Sequence, residues 1–255
     1  MRFASLGSGS QGNALVVEVR ATRILVDCGF GLSEAMRRLA RLGIAPDGLS
    51  AIVVTHEHDD HIGGVARFAR KHRLPVWLTT GTLRGLEDLF DAEIEVHTIR
   101  GYGAFAVGDI QVEPFPVPHD AREPAQFVFG DGAHRLGLLT DAGHVTAHMR
   151  RCLQGCDALV LECNHDPEML RAGDYPERLK ARIASRLGHL DNASAAALLA
   201  ALDFRRLQHV VAAHLSQSNN RPDLARGALA DVLGCDMRWI AIAEQQIGLG
   251  WRQLV

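Results

Sequence analysis

The segment Thr55-His56-Glu57-His58-Asp59-Asp60-His61 holds four side chains that can ligate metals, His56, His58, Asp60 and His61, within six residues. Imidazole nitrogens beside a carboxylate suit zinc, manganese or iron; with no adjacent cysteine, the set does not make a closed structural zinc site. The run before it, Ala51-Ile52-Val53-Val54-Thr55, is short, apolar and β-branched, which predicts a strand buried on both faces. Side chains alternate along extended backbone, so His56, His58 and Asp60 are expected to point to one side. A turn into a helix at His61 would swing that imidazole back towards the same point. Three later residues can complete the site. His119 follows a strand-like run ending at Phe115, Asp141 follows the apolar Leu136–Leu139, and His214 ends Val210–Ala213. Alone, Asp141 reads as a turn former and His214 as a core histidine. Beside a metal motif, a carboxylate able to bridge two cations is what a dinuclear hydrolytic site requires.

The elements that must position these residues follow from periodicity and punctuation. Runs at Arg2–Leu6, Ala14–Val19 and Arg23–Val26, separated by glycine-rich turns, predict a β-meander. Ser33 is expected to cap a helix that stops at Gly43, and Val65–His72 reads as a second helix. Further strands are expected at Pro75–Leu78, Ile94–His97, Ile110–Phe115, Gln126–Phe129, Leu136–Leu139, Ala158–Leu161 and Val210–Ala213. Helices are expected at Pro176–Leu187, Asn192–Leu202 and Pro222–Leu233, the last with proline at its favoured first position. Strands followed by α/β alternation, occurring twice, predict one α/β domain over 1–255, with helices packed outside two sheets.

Composition bounds the function. The chain has 255 residues, 47% hydrophobic and 22% charged, with a formal net charge of −3. That supports a full core without staples and excludes bulk disorder and a globally basic binder. No run approaches the ~18–20 apolar residues of a membrane span. Five cysteines at irregular spacing, and an N-terminus without an apolar leader segment, predict a reducing, cytoplasmic location. Thirteen histidines stand well above expectation and give the ligand clusters weight.

The ordered set His56/His58/Asp60/His61, His119, Asp141 and His214 resembles the metallo-β-lactamase superfamily. The resemblance implies an αββα four-layer sandwich with the ligands on loops at one edge. It further implies one divalent ion on His56, His58 and His119, a second on Asp60, His61 and His214, and Asp141 between them. Zinc or manganese fits this donor set, with iron not excluded. The residues that distinguish true β-lactamases (a late cysteine ligand, a different residue at position 61) are missing. Gly188-His189-Leu190 resembles the Gly-His segment of the superfamily's phosphodiesterase branches, whose histidine contacts the scissile phosphate. Only 47 residues separate Asp141 from His189, too few for the β-CASP insertion of one such branch. Whole-chain resemblance is closest to the YycJ (WalJ) family. It is carried by Leu6-Gly7-Ser8-Gly9-Ser10-Gln11-Gly12-Asn13-Ala14, by Glu162-Cys163-Asn164-His165-Asp166-Pro167-Glu168-Met169-Leu170, by Arg171–Pro176, and by Leu215-Ser216-Gln217-Ser218-Asn219-Asn220. That likeness implies 5′→3′ exonuclease activity on DNA.

The expected mechanism is attack on phosphorus by a hydroxide shared between the two metals. Asp60 would orient it, and His189 would stabilise the phosphoryl oxygens or protonate the leaving oxygen. Substrate contacts are expected from the opening loop (Ser8, Ser10, Asn13), from His165, and from Ser216 and Asn219. A stripe of Arg178, Arg182 and Arg186 at i, i+4, i+8 could track a phosphate backbone. The alternative is a small-molecule hydrolase of the same fold, acting on a cyclic or small phosphodiester or on a thioester like that cleaved by glyoxalase II. Cys28 and Cys163 read as small apolar residues, and Cys152 and Cys156 as packing residues of a helical region.

Overall fold

Strand β2 (Ala14–Val19) is buried at every position, which requires cover on both faces of its sheet. The computed structural model, which describes residues 1–86 and 89–255, supplies that cover. Val17 and Val19 face a second sheet, and Val16 faces helices. Two seven-stranded sheets form. The first is ordered β14-β1-β2-β3-β4-β5-β6, from β1 (Arg2–Gly7), β2, β3 (Thr22–Val26), β4 (Ala51–Val53), β5 (Val76–Thr79), β6 (Val96–Ile99) and the returning β14 (Leu249–Gln253). The second is ordered β13-β12-β11-β10-β9-β8-β7. Its strands are β7 (Phe105–Val107), β8 (Ile110–Pro116), β9 (Ala125–Gly130), β10 (Arg135–Leu139), β11 (Ala158–Glu162), β12 (His209–Ala213) and β13 (Ala241–Ile242). Each sheet begins as an antiparallel meander and continues with parallel strands joined through helices.

Three apolar cores make the four layers. Phe3, Val17, Ile24, Phe127, Phe129 and Val160 fill the space between the sheets. Helices α1 (Leu32–Arg41) and α3 (Val65–His72) bury Ala35, Leu39, Val65 and Phe68 on the outside of the first sheet. On the second, α5 (Ala147–Leu153), α8 (Asn192–Ala200) and α9 (Pro222–Leu233) bury Met149, Leu153, Leu198, Leu199 and Leu229. This is the αββα sandwich expected from sequence. No helix among the described residues is long and apolar enough to cross a membrane, and all five cysteines are free thiols.

The structure corrects several local expectations. Helix α1 starts at Leu32 after Gly31, so Ser33 is not its cap. The helix expected over 176–187 is only α7 (Glu177–Ile183); the chain then folds back, with the Gly188 amide on Ser185 and the His189 amide on Ile183. Arg186 therefore leaves the arginine stripe. Cys156 lies beyond α5, buried against the sheet. Among the described residues the remaining short α-helices are α2 (Asp59–Ile62), α4 (Thr80–Arg84) and α6 (Pro167–Ala172).

Candidate metal centre

Six strand ends converge on one edge of the sandwich. Asp27 follows β3, His56 follows β4, His119 follows β8 and Asp141 follows β10; Glu162 ends β11 and His214 follows β12. Carboxyl ends of parallel strands are where open α/β sheets place their ligands. Asp27, Asp141 and His214 each take a left-handed backbone (φ 58, 53 and 54°), a conformation costing non-glycine residues about 1–3 kcal/mol, so each strand stops abruptly and turns its side chain inward. Asp60 and His61 come from the single turn of α2, whose N-terminal flank is His58. Asp60 thus reaches the centre from a helix rather than from extended backbone.

The ring nitrogens are assigned by their partners. His56 donates from Nδ1 to the Thr55 hydroxyl (2.9 Å), which in turn donates to Asp27 Oδ2 (2.9 Å). His61 donates from Nδ1 to Asp27 Oδ2 (2.8 Å), and His119 donates from Nδ1 to the Gly188 carbonyl (3.1 Å). Each pairing leaves the Nε2 lone pair facing inward, as metal-ligating histidines require. The inward atoms lie close together: His119 Nε2 is 3.2 Å from His58 Nδ1, and His61 Nε2 is 3.2 Å from Asp141 Oδ2. His214 Nε2 is 3.4 Å from Asp60 Oδ2 and 3.5 Å from Asp141 Oδ1. Asp141 Oδ1 also lies 4.0 Å from His119 Nε2.

This donor set fits two divalent cations. His56 Nε2 and Asp141 Oδ2 are buried with no hydrogen-bond partner, a cost that native interiors rarely tolerate and that coordination would remove. The donors of His56/His58/His119 and of Asp60/His61/His214 each fall within 4.8 Å of one another, with Asp141 grouped with His56 and His61 as well as with His214. Electrostatics agrees. Burial, reinforced by neighbouring imidazoles, pushes the His56 pKa well down, and burial lowers that of His119, so both rings stay neutral donors. Burial alone would raise the Asp141 carboxyl, but the His214 and His61 rings hold it well below the usual range. His214, despite burial, is pushed up to about 9 by Asp141, Asp60 and Glu162. A cation arriving here displaces that proton, so affinity rises with pH.

Two buried acids with no counterpart in the sequence expectations hold the centre. Asp27 binds His61 and also accepts from the Thr55 amide (2.8 Å). Glu162, fully buried, accepts from the Ala142 and Leu190 amides and binds His189 Nδ1 at 2.8 Å. A signal for Asp27 was present. Asp27-Cys28-Gly29 repeats the Asp-x-Gly pattern of Asp141-Ala142-Gly143 after an apolar strand. Both glycines permit close backbone approach, since a Cβ on Gly29 would lie 1.9 Å from the Asp60 carbonyl oxygen and one on Gly143 2.3 Å from the Arg186 carbonyl carbon.

The substrate-facing expectations divide. An open cleft of about 380 Å³ over the centre is lined by Ser10, His58, Asp60, Asp120, Asp141, Tyr175, Arg182, His189, His214 and Ser216. Arg182 is held by Asp120 at 2.5 Å, and Asp120 was not foreseen. Ser8 and Asn13 do not face this cleft. Both are buried, with the Ser8 hydroxyl accepting from the His214 amide (2.9 Å) and Asn13 Nδ2 lying 3.3 Å from Asp60 Oδ2. They support ligands from behind. Asn219 is likewise buried, bonding Ser216. Arg178 is exposed and lines no part of the cleft; Arg186 binds His144 (3.0 Å). His165 is buried behind His189, facing a separate cavity.

Comparison with known proteins agrees with this geometry. A family described as the beta-lactamase superfamily domain matches residues 22–214. Exodeoxyribonuclease YycJ of Bacillus anthracis is 40% identical over 237 residues, covering 91% of this chain and 89% of that protein. Exodeoxyribonuclease WalJ of Streptococcus pneumoniae is 35% identical over 254 residues, covering 98% and 91%. The crystal structure of the metallo-beta-lactamase fold protein YhfI from Bacillus subtilis superposes with a TM-score of 0.76 at 15% identity, over 99% of both chains. The chain belongs to the beta-lactamase superfamily and, within it, to the family of the YycJ and WalJ exodeoxyribonucleases.

Proposed function

We propose that the protein is a divalent-metal-dependent phosphodiesterase that removes nucleotides from the 5′ end of DNA. The observation that carries this reading is the site itself, two histidine-rich donor sets meeting at Asp141 beneath an open cleft that also holds His189 and Arg182. Near-full-length identity to two exodeoxyribonucleases supports DNA as the substrate. His56, His58 and His119 would hold one ion and Asp60, His61 and His214 the other. Asp141 serves both. Zinc or manganese there would acidify water and neutralise phosphoryl charge.

The chain's own groups do the rest. The carboxylate of Asp60, steadied by Asn13 Nδ2, orients the attacking water and takes up its proton. His189 has Nδ1 fixed on Glu162, which leaves Nε2 to deliver a proton to the departing 3′ oxygen. Burial would lower the His189 pKa, but the Glu162 and Asp141 charges raise it above the ordinary histidine value, as a general acid needs. Arg182, fixed by Asp120, places a guanidinium at the cleft wall for a phosphate of the strand.

The test is a gel time course on end-labelled single- and double-stranded DNA with manganese or zinc, beside Asp60→Asn. Nucleotides released progressively from the 5′ end by the wild type, and not by the variant, are expected. A metal-loaded protein that leaves DNA intact while cleaving a chromogenic phosphodiester or a thioester overturns the assignment in favour of a small-molecule hydrolase.

A further inference from the structure

Helix α7 is a partition between two cavities. Leu179 and Ile183 on one side, continued by Tyr175 just before the helix, wall the metal-facing cleft. Lys180, Ala181 and Ala184 on the other side line a second cavity of about 470 Å³, within the ~300–1,000 Å³ range of small-ligand sites. No residue of α7 is buried, so it is a thin wall. At its end His189 lines both cavities. His165, only 3% exposed, lines the second cavity beside Asp191.

Together with the acids Glu177 and Asp191, two cations line this second cavity, the exposed Arg171 and the more buried Lys180. Its side chain is 15% exposed, and its ammonium lies 3.0 Å from the Arg171 carbonyl and 2.9 Å from the carboxylate of Glu177, itself 88% exposed. A pair with so exposed a carboxylate is weak, so a phosphate that brings more charge displaces Glu177 readily.

Resting on the exonuclease reading, we infer that the second cavity holds the 5′-terminal nucleotide as the leaving group, with its 5′-phosphate on Lys180 and its 3′ oxygen at His189. The geometry follows from the bond that breaks. Water oxygen bonds to phosphorus, the P–O3′ bond breaks with its electron pair on the 3′ oxygen, and that oxygen takes a proton from His189. The attacked phosphate must lie on the metal side of His189 and the departing nucleoside on the other. That other side is a cavity of one-nucleotide size, which makes the product a mononucleotide.

Two measurements test this. Deoxyadenosine 5′-monophosphate, titrated by calorimetry, is expected to bind the metal-loaded protein at least tenfold more tightly than deoxyadenosine, and Lys180→Gln is expected to abolish that difference. On DNA, the ratio of kcat/KM for 5′-phosphorylated over 5′-hydroxyl oligonucleotide is expected to fall about tenfold or more in Lys180→Gln. Ala181→Trp, an exposed substitution that fills the cavity, should weaken mononucleotide binding in a protein that still melts cooperatively. Mononucleotide binding that is indifferent to the phosphate and to both substitutions overturns the inference, whatever the DNA assay shows. A protein that binds the mononucleotide as expected yet never cleaves DNA refutes the exonuclease reading and leaves the nucleotide site standing.

Discussion

Asp27→Asn exchanges one oxygen of a buried carboxylate for a donor of the same shape, and the hydrogen bonds around it dictate the consequence. Asp27 accepts three of them, from the Thr55 amide (2.8 Å), the Thr55 hydroxyl (2.9 Å) and His61 Nδ1 (2.8 Å). If the asparagine oxygen stays on the Thr55 amide, its NH₂ faces His61. The ring must then carry its proton on Nε2, the atom needed as a metal donor. If the oxygen turns to His61 instead, the NH₂ opposes the Thr55 amide, donor against donor, in a buried site. Either arrangement loses a charge-assisted hydrogen bond worth ~1.5–3 kcal/mol, or roughly 10–150-fold in an equilibrium constant. That agrees with the roughly 10–100-fold typically lost when a ligand's outer partner is removed. The loss should fall on the site of Asp60, His61 and His214. The other site feels Asp27 only through the Thr55 hydroxyl on His56, and should change less. Competition titration against a chromophoric chelator should therefore turn two strong binding events into one strong and one weak. Activity at limiting metal should drop and recover with excess metal, while the thermal melt of the chelated protein stays cooperative. An Asp27→Asn protein that titrates like the wild type at both sites refutes the reasoning, as does one that stays inactive with two ions bound.

His189→Ala should lower kcat by ~10²–10⁴ with metal content unchanged, as measured by single-turnover cleavage beside metal analysis. A general acid works only while protonated, so activity is present below the His189 pKa and is lost as pH rises through it. Glu162→Gln, which removes the nearest charge raising that pKa, should therefore move the alkaline limb of the pH–rate profile to lower pH. Burial raises the thiol pKa to about 12 at Cys28 and about 11 at Cys156, and raises that of Cys163 as well. In native protein near pH 8 only the partly exposed Cys152 and Cys235 should react with a disulfide reagent, and all five after denaturation. Arg182→Ala should weaken DNA binding and flatten the log–log salt dependence by ~0.7–0.9; an unchanged slope would mean that Arg182 touches no phosphate.

The metal centre is largely legible in sequence because coordination chemistry is local. His56, His58, Asp60 and His61 fall within six residues, and His119 and His214 each follow a strand whose apolar run shows plainly. What lies hidden depends on residues meeting from opposite ends of the chain. Asp27 and Glu162 carry no periodic signature; a single acid at the end of a strand reads as a turn until its histidine partner is in place. Ser8 and Asn13 read as substrate contacts for the converse reason. A glycine-rich loop with hydroxyls resembles a phosphate cradle, and only its packing against His214 and Asp60 shows that it buttresses ligands. Helix α7 reads too long because Arg178, Arg182 and Arg186 keep helical spacing through a turn that His144 and the Gly188 and His189 amides fold back. Edge strands β7, β13 and β14 are invisible to periodicity, because two to five residues with partly exposed faces give too little alternation to register. The errors share a cause, since each is a place where distant contacts outweigh local pattern. They fall mostly around the cleft, where the chain is shaped by the ligands it must hold and the substrate it must admit rather than by the regular packing that makes the cores readable.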